Sequence, residues 1–119
     1  MKRIVGIDQK INHPDLDENP LVAARQQDEM PSYRRLLKMI CFGIPPTGAD
    51  ESEHMHQVKL KLMIAGSDII DLEDSEFSMI KKYVDSNKMQ WGGHVHYAVM
   101  KLLRDAEQRK IEVKISEVK

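Results

Sequence analysis

The residues best suited to metal chemistry are the histidines, because two pairs are separated by a single residue, His54 with His56 and His94 with His96. That spacing places both rings on one face of a strand, where they can share a metal ion. On a helix the two rings lie about 200° apart and cannot chelate together. Both pairs fall where the sequence predicts a helix or the start of one, so we expect surface or helix-end histidines.

A second metal pattern overlaps the first pair of histidines. Glu51 with His54, and Glu53 with His56, have the Glu-x-x-His spacing of a ligand pair carried by a helix. A carboxylate-bridged di-metal site needs that motif on two helices together with two further glutamates, and the chain has one overlapping copy. We therefore predict no metal and no cofactor, and we keep a metal-dependent enzyme as a third alternative for the function.

The cysteine of the chain, Cys41, does not have the sequence context of a nucleophile. It adjoins Ile40 on the apolar face of a predicted helix, where a thiol is buried and inert. The sequence also contains no Gly-x-Gly-x-x-Gly, Walker, Gly-x-Ser-x-Gly or Cys-x-x-Cys motif. We predict that the protein is not an enzyme. One cysteine cannot form an internal disulfide, which favours a reducing compartment.

Composition limits the remaining classes of function. The 119 residues suffice for a single domain, and their 18 basic and 19 acidic side chains give a net charge of −1. This balance argues against a nucleic-acid or anionic-membrane binder. Because the longest apolar run is short and Asp8 ends the first one, we expect no transmembrane segment and no signal peptide. The eight methionines indicate either adaptable core filling or a surface that accepts another helix or chain.

The chain divides into three stretches that differ in their predicted secondary structure. Residues 1–31 predict a strand near residues 2–7 and then an extended, proline-containing arm. Residues 32–109 predict a helical core, and residues 110–119 alternate apolar and polar side chains as a half-buried strand does. We thus predict an α+β, mainly α fold with three to four short helices, a short N-terminal strand and a C-terminal strand.

Capping residues predict where the first two helices begin. Ser32 can cap a helix over residues 33–42, and Gly43 can end it in the left-handed conformation that suits glycine. Asp50 starts a capping-box spacing ahead of a helix over residues 51–65. Both predictions place the cysteine and the first histidine pair on helices.

Part of the second predicted helix also fits the pattern of a strand. Residues 58–62 alternate apolar residues with lysine at a period of two, which is typical of a strand. We favour the helix because Leu, Lys, Met and Gln are good helix formers. The predicted core side of that helix contains Met55, Val58, Leu62 and Ala65, with Leu60, Met63 and Ile64 widening the apolar stripe.

The last two helices are marked by a hydrophobic staple and by a glycine pair. Leu72 and Phe77 have the staple spacing across a helix start at Glu73, and Asn87 can end that helix in the left-handed conformation. After the two adjacent glycines, residues 94–109 predict the last helix.

The two terminal strands need partners, because a lone strand is not stable in water. Residues 69–70 predict only a short extended link, which leaves residues 2–7 and 111–115 as the strands of the sequence. These segments either pair with each other or add to the sheet of another chain. Strand addition draws its strength from main-chain hydrogen bonds and its selectivity from alternate side chains.

The middle of the chain combines a helix, an acidic Leu-x-x-x-Glu helix start at residues 72–76, an Ile-Lys pair at residues 80–81 and a last helix that ends in leucines. Over residues 55–105 this pattern resembles small proteins encoded by tailed bacteriophages and prophages. The resemblance implies a viral origin and a location in the host cytoplasm or the virion. It implies no catalytic residues.

We therefore expect a non-catalytic protein–protein interaction subunit, a phage particle or assembly component that contacts neighbouring chains through its arm and terminal strand. Its partners would be copies of itself or other phage or host proteins, in a homo-oligomer or a larger assembly, with no membrane and no nucleic acid. The alternative is a small phage-encoded regulator that binds and inhibits a host enzyme or defence protein. The predicted contact residues are Ile4, Val5, Ile7, Leu16, Leu21, Trp91, Ile111, Val113 and Ile115.

Overall fold

The computed structural model describes residues 1–12, 27, 29–64 and 66–118, with side chains as far as residue 108. The fold is α+β and mainly helical, as the sequence predicts. Described side chains from all six elements form a common hydrophobic core. The elements in chain order are β1 (Lys2–Val5), α1 (Tyr33–Gly43), α2 (Ala49–Met63), β2 (Ile69–Leu72), α3 (Asp74–Asp85) and α4 (Gly93–Val118).

Strands β1 and β2 form an antiparallel pair, from Lys2 opposite Leu72 to Val5 opposite Ile69. Ile4 and Leu72 are fully buried on the face that meets the helices. The N-terminal strand is thus confirmed, and it pairs within its own chain. The predicted partner of β1, which was either residues 111–115 or the sheet of another chain, was wrong. The segment that begins at residue 69, predicted to be a short extended link, forms the second strand instead. The strand signal was weak because the segment has four residues and the apolar Ile69, which is exposed, interrupts the alternation of Ile70, Asp71 and Leu72.

The outer face of this sheet holds a cross-strand ion pair. Arg3 lies opposite Asp71 in the register. Its Nε atom donates to Asp71 Oδ1 at 2.8 Å and its Nη2 atom to Oδ2 at 3.1 Å. This hydrogen bonding holds the pKa of Asp71 below its usual range. Because both side chains are largely in water, the pair fixes the register more than it stabilises the fold.

Helix α1 begins where the sequence predicts. The Ser32 hydroxyl accepts a hydrogen bond from the Arg35 amide at 3.2 Å, which satisfies one free donor of the first turn. The inward side of the helix buries Leu36, Leu37 and Ile40. The predicted role of Gly43 was wrong, because this glycine is the last helical residue and does not have a positive φ. An extended Ile44 ends the helix instead.

Helix α2 confirms the helical alternative over the strand. It buries Met55, Val58 and Leu62 as predicted, and it begins at Ala49. The fourth predicted core residue, Ala65, lies outside the described residues. The predicted capping box was wrong, since Gly48 is the N-cap and makes no side-chain hydrogen bond. The three residues expected to widen its buried stripe are all exposed: Leu60, Met63 and Ile64.

Arg34 joins the start of α1 to the end of α2 and to the turn after β1. Its guanidinium donates to both carboxylate oxygens of Asp8, at 2.6 and 3.2 Å, and to the carbonyls of Leu62, Ile64 and Ser67. The side chain is 14% exposed. These bonds satisfy carbonyl groups that helix α2 leaves free at its C-terminus. The hydrogen bond from Arg34 also lowers the pKa of Asp8.

Helix α3 begins where the staple spacing predicts, and a capping box that was not predicted for it closes its first turn. A capping box joins Glu73 to Glu76, and the staple residue Phe77 is 1% exposed. The buried Glu76 carboxylate accepts from the Glu73 amide at 2.8 Å and from Lys61 Nζ at 2.7 Å. Asn87 follows the helix with a φ of +48°, as expected for a left-handed C-terminal residue.

Helix α4 is longer than predicted. It buries Val99, Leu103 and Ala106, and it continues to Val118. The predicted C-terminal strand was therefore wrong, because Ile111, Val113 and Ile115 lie in this helix. No proline or glycine after Gly93 ends the helix, and most residues from Ala106 onward are good helix formers. The alternation of apolar and polar residues over 110–119 was therefore a weaker signal than the uninterrupted run of helix formers.

Candidate protein-binding face

The Glu-x-x-His residues considered as metal ligands lie near the start of helix α2, where Glu51 forms hydrogen bonds with Thr47. Glu51 Oε1 accepts from the Thr47 amide at 3.3 Å and Oε2 from the Thr47 hydroxyl at 2.7 Å, while Lys82 Nζ lies 3.9 Å from Oε2. His54 lines the same open cleft of about 550 Å³ between α2 and α3. Within the part of the chain that the structure describes, no three His, Cys, Asp or Glu residues lie close enough to hold a metal ion.

In neither His-x-His pair do the two rings face a common site. His54 lines the cleft toward α3, and His56 lines a groove on the α1 side, so one helix separates them as its geometry requires. His94 contacts the carbonyl of Asn12, and His96 Nε2 lies 2.6 Å from the carbonyl oxygen of Val84. These two contacts attach the first turn of α4 to the rest of the fold.

Cys41 has the environment of an unreactive thiol. It is partly buried beside the core, in the groove that also contains His56 and Lys59. Burial raises its pKa to about 11, and the nearby charge of Lys59 offsets only part of that increase. The thiol is therefore protonated at neutral pH and is a poor nucleophile.

The predicted contact residues of the first strand lie largely inside the fold. Ile4 and Ile7 are buried in the core, so neither side chain is available to a partner. Val5 is half-buried at the edge of a cleft next to α4. Trp91 is half-buried and packs against the core, with its backbone bracketed by two hydrogen bonds to Asn87.

The other predicted contact residues cannot be assigned a surface. Leu16 and Leu21 lie outside the described residues. Ile111, Val113 and Ile115 lie on helix α4, beyond the last described side chain. The sheet, as described, therefore brings none of these residues together with the first strand.

An apolar surface that the sequence reasoning missed lies on the outside of the hairpin formed by α1 and α2. Phe42 is 66% exposed and Met63 is 59% exposed, and Met39 and Leu60 are exposed as well. In both helices the outward positions repeat at i, i+3, i+4 and i+7, which defines one helical face. We call this surface the hairpin face; it consists of Arg35, Lys38, Met39, Phe42, His56, Lys59, Leu60 and Met63.

The hairpin face combines apolar side chains with positive charge. Lys59 Nζ of α2 lies 5.1 Å from the ring centroid of Phe42 of α1, so the two halves of the face are in contact. Neither Arg35, Lys38 nor Lys59 forms an ion pair with a carboxylate among the described side chains. The face therefore presents three cations, and the exposed Glu53 lies at its border, one helical turn before His56.

The sequence did contain a signal for this face. Phe42 lies on the side of the α1 helical wheel opposite Leu36 and Leu37, and Met39 lies between Leu36 and Phe42 at the edge of the apolar stripe. An aromatic residue outside the apolar stripe and a methionine at its edge indicate a surface patch. The excess of methionine pointed to such a surface only in general terms.

Comparison with known proteins adds no relative to this description. No protein-family model, no curated protein and no solved structure matches the chain. In the described part of the chain, no helix is both long enough and apolar enough to cross a bilayer.

Proposed function

We propose that the chain is a non-catalytic protein–protein interaction subunit that contacts its partners through the hairpin face. The observation that carries this proposal is the exposure of Phe42, 66% of whose surface is open to solvent beside the exposed Met39. Together with the exposed Leu60 and Met63, Phe42 forms an apolar surface, and exposed apolar surfaces of this kind are typical of interaction sites. A partner that covers this ring would gain about 25 cal/mol for each Å² of apolar surface buried.

The composition of the face supports protein recognition. Aromatic side chains, methionine and arginine are enriched in the cores of protein interfaces. Phe42 would act as a rigid anchor, and the methionines would adapt to the partner's shape. The surrounding lysines would form the polar rim.

The setting is proposed from the resemblance to phage and prophage proteins. The partner would be a neighbouring chain in a phage particle or in an assembly intermediate, so that the protein would act in the host cytoplasm or the virion. The predicted role of the arm in this assembly is retained, and the contact surface moves from the C-terminal segment to the hairpin.

The test compares two exposed aromatic residues on different surfaces. Phe42→Asp alters the hairpin face, and Tyr97→Asp alters helix α4, where Tyr97 is 59% exposed. Each variant and the wild type would be used to capture proteins from phage-infected cells, and the captured protein would be identified and purified. We expect binding of that partner to the wild type and to Tyr97→Asp, and loss of binding to Phe42→Asp.

The proposal fails if the two variants bind every partner equally well, or if the wild type neither self-associates nor binds a partner. Light scattering measures self-association, and binding of the purified partner is measured by calorimetry. Circular dichroism confirms that both variants are folded.

One observation favours the regulator as a second candidate. Strand β1 pairs with β2 within the chain, so the described strands do not need a strand from a neighbouring copy. A regulator that inhibits a host enzyme would then be a monomer by light scattering. Adding it to the purified partner enzyme would lower the rate of turnover, whereas an assembly component would leave that rate unchanged.

A further inference from the structure

We propose that the hairpin face binds an acidic amphipathic helix of a partner protein. This inference rests on the proposed function and names the chemistry of the partner that the proposed function leaves open. Three observations carry it: the position of Lys59 over the Phe42 ring, the helix sides that form the face, and the groove between helices α1 and α2.

The contact between Lys59 and Phe42 requires a partner that carries a carboxylate. The Nζ atom of Lys59 lies 5.1 Å from the centroid of the Phe42 ring, and the lysine is already half-buried. A partner that covers the ring therefore also removes water from the ammonium group. Because a desolvated cation without a counter-charge is costly, the partner must place a carboxylate beside Lys59.

Two further cations extend this requirement along helix α1. Arg35 and Lys38 precede Phe42 by seven and four residues, so they lie on the same side of the helix as the ring. Neither forms an ion pair among the described side chains. A partner with several carboxylates complements this charge, whereas the hairpin face of a second copy would oppose like charges and weaken association.

The helix sides that form the face favour a helix as the occupant. Away from the ends of residues 33–43 and 49–63, the main-chain N–H and C=O groups bond within each helix. An extended peptide docked there would bury main-chain groups that find no partner on the face, which is costly. A helix satisfies its own main chain and presents one apolar side to the face.

The groove between α1 and α2 provides a place for an apolar side chain of that helix. It has a volume of about 240 Å³ and contains Lys59 and His56. The buried Met55 and the half-buried Cys41 line it together with Pro46. A leucine or methionine of the partner would fill the groove, and a carboxylate one helical turn away would reach Lys59.

An unbiased peptide selection tests this assignment. A displayed library of random peptides of about 18 residues, or five helical turns, is selected against the wild type, Phe42→Asp and Tyr97→Asp. Peptides that the wild type and Tyr97→Asp enrich and Phe42→Asp does not enrich bind the hairpin face. We expect these peptides to carry a net negative charge and apolar residues at helical spacing. Neutral or basic peptides, or apolar residues at a period of two, overturn the proposal.

Charge reversal measures the contribution of the cations. The most enriched peptide is synthesised, and its binding is measured by calorimetry. The face-reversed chain carries Lys38→Glu and Lys59→Glu, and the matched control carries Lys101→Glu and Arg104→Glu on the exposed side of helix α4. We expect the dissociation constant to rise on the order of tenfold or more in the face-reversed chain and to rise much less in the control. Equal rises in the two chains overturn the proposal.

Circular dichroism supplies two further readouts. It shows whether each variant is folded, and it shows whether the peptide gains helix on binding, as we expect. If the face-reversed chain does not fold, Lys59→Met removes the charge beside Phe42 while retaining a long apolar side chain. This variant should bind the peptide several-fold more weakly than the wild type, and unchanged binding overturns the proposal.

The other occupants of such a face are tested with vesicles and by light scattering. Sedimentation with vesicles of phosphatidylcholine and phosphatidylserine that Phe42→Asp abolishes would show that the face binds an anionic membrane. A wild-type dimer that Phe42→Asp makes monomeric would show that it binds a second copy. Either result overturns the proposal, and we expect neither.

Failure of this inference is distinguishable from failure of the proposed function. A selection that yields no peptide dependent on Phe42 overturns the acidic helix. The same protein would still support the proposed function if it bound a purified partner that Phe42→Asp loses and Tyr97→Asp retains.

Discussion

The two sides of helix α1 differ in how far their apolar residues are exposed to solvent. The inward side buries Leu36, Leu37 and Ile40 against the core, whereas the outward side leaves Met39 and Phe42 in water. Both sides belong to one helix of eleven residues. Stability and recognition are therefore carried by different faces of the same helix, and substitutions can separate them.

The largest expected effect is on the inward side. Ile40→Ala removes a side chain that is fully buried, and we expect it to lower the free energy of unfolding by about 2–5 kcal/mol because it leaves a cavity. Urea denaturation at neutral pH measures this loss. The matched control is Met39→Ala, one residue away on the outward side, which should change stability by about 0.5 kcal/mol or less. Equal losses in the two variants would contradict the separation of the two faces.

The next effect is expected at Arg34. Arg34→Ala breaks the ion pair with Asp8 and frees the carbonyl groups at the end of α2, so we expect a loss of about 1.5–3 kcal/mol. Arg34→Lys should recover only part of this, because lysine cannot donate in several fixed directions at once. Arg35→Ala is the neighbouring control on the hairpin face. If it destabilises the fold as much as Arg34→Ala, the assignment of Arg34 as the joining residue is wrong.

A smaller effect is expected on acidification. The pKa values of Asp8 and Asp71 are lowered in the folded state by their arginine partners, so each carboxylate contributes stability above its unfolded pKa of about 4. That contribution is lost as the pH falls through the lower folded value. Both side chains are largely exposed, which keeps the effect small.

The measurement for this prediction is the free energy of unfolding from pH 7 down to pH 2. The double variant Asp8→Asn with Asp71→Asn should be less stable than the wild type at pH 7 and should lose less stability on acidification. A double variant whose stability falls as steeply as that of the wild type would show that other carboxylates govern the acid response.

The smallest effect on stability is expected at Phe42. Phe42→Ser removes an exposed ring that contacts Lys59, so the free energy of unfolding should stay within about 0.5 kcal/mol of the wild-type value. Partner binding should nevertheless be lost. A large drop in the thermal midpoint would instead identify Phe42 as a structural residue and remove the main support for the hairpin face.

Local sequence signals predicted the helical part of the fold well. Ser32, Glu73 and Asn87 each act at a helix end a few residues away at most, so their roles can be derived from the sequence beside them. The buried residues Met55, Val58 and Leu62 of α2 followed from helical spacing for the same reason. The N-terminal strand was also predicted from its own residues.

Long-range pairing could not be predicted in this way. The partner of β1 is separated from it by more than sixty residues, and the four residues of β2 have no distinctive pattern. Similarly, the guanidinium of Arg34 donates to groups in the turn after β1, at the end of α2 and in the loop before β2, and nothing in the residues around Arg34 indicates those acceptors. The hairpin face was missed because Leu60 and Met63 are as apolar as the core residues beside them.

The pairing of β1 with β2 has a consequence for how the protein is made. During translation the first strand leaves the ribosome early, and helices α1 and α2 must both follow before its partner is synthesised. The nascent chain therefore carries Ile4 and Val5 unpaired until β2 has been made, and contacts between residues so distant along the chain form slowly. Cells that produce the protein rapidly would be the place to look for aggregates seeded by its first few residues.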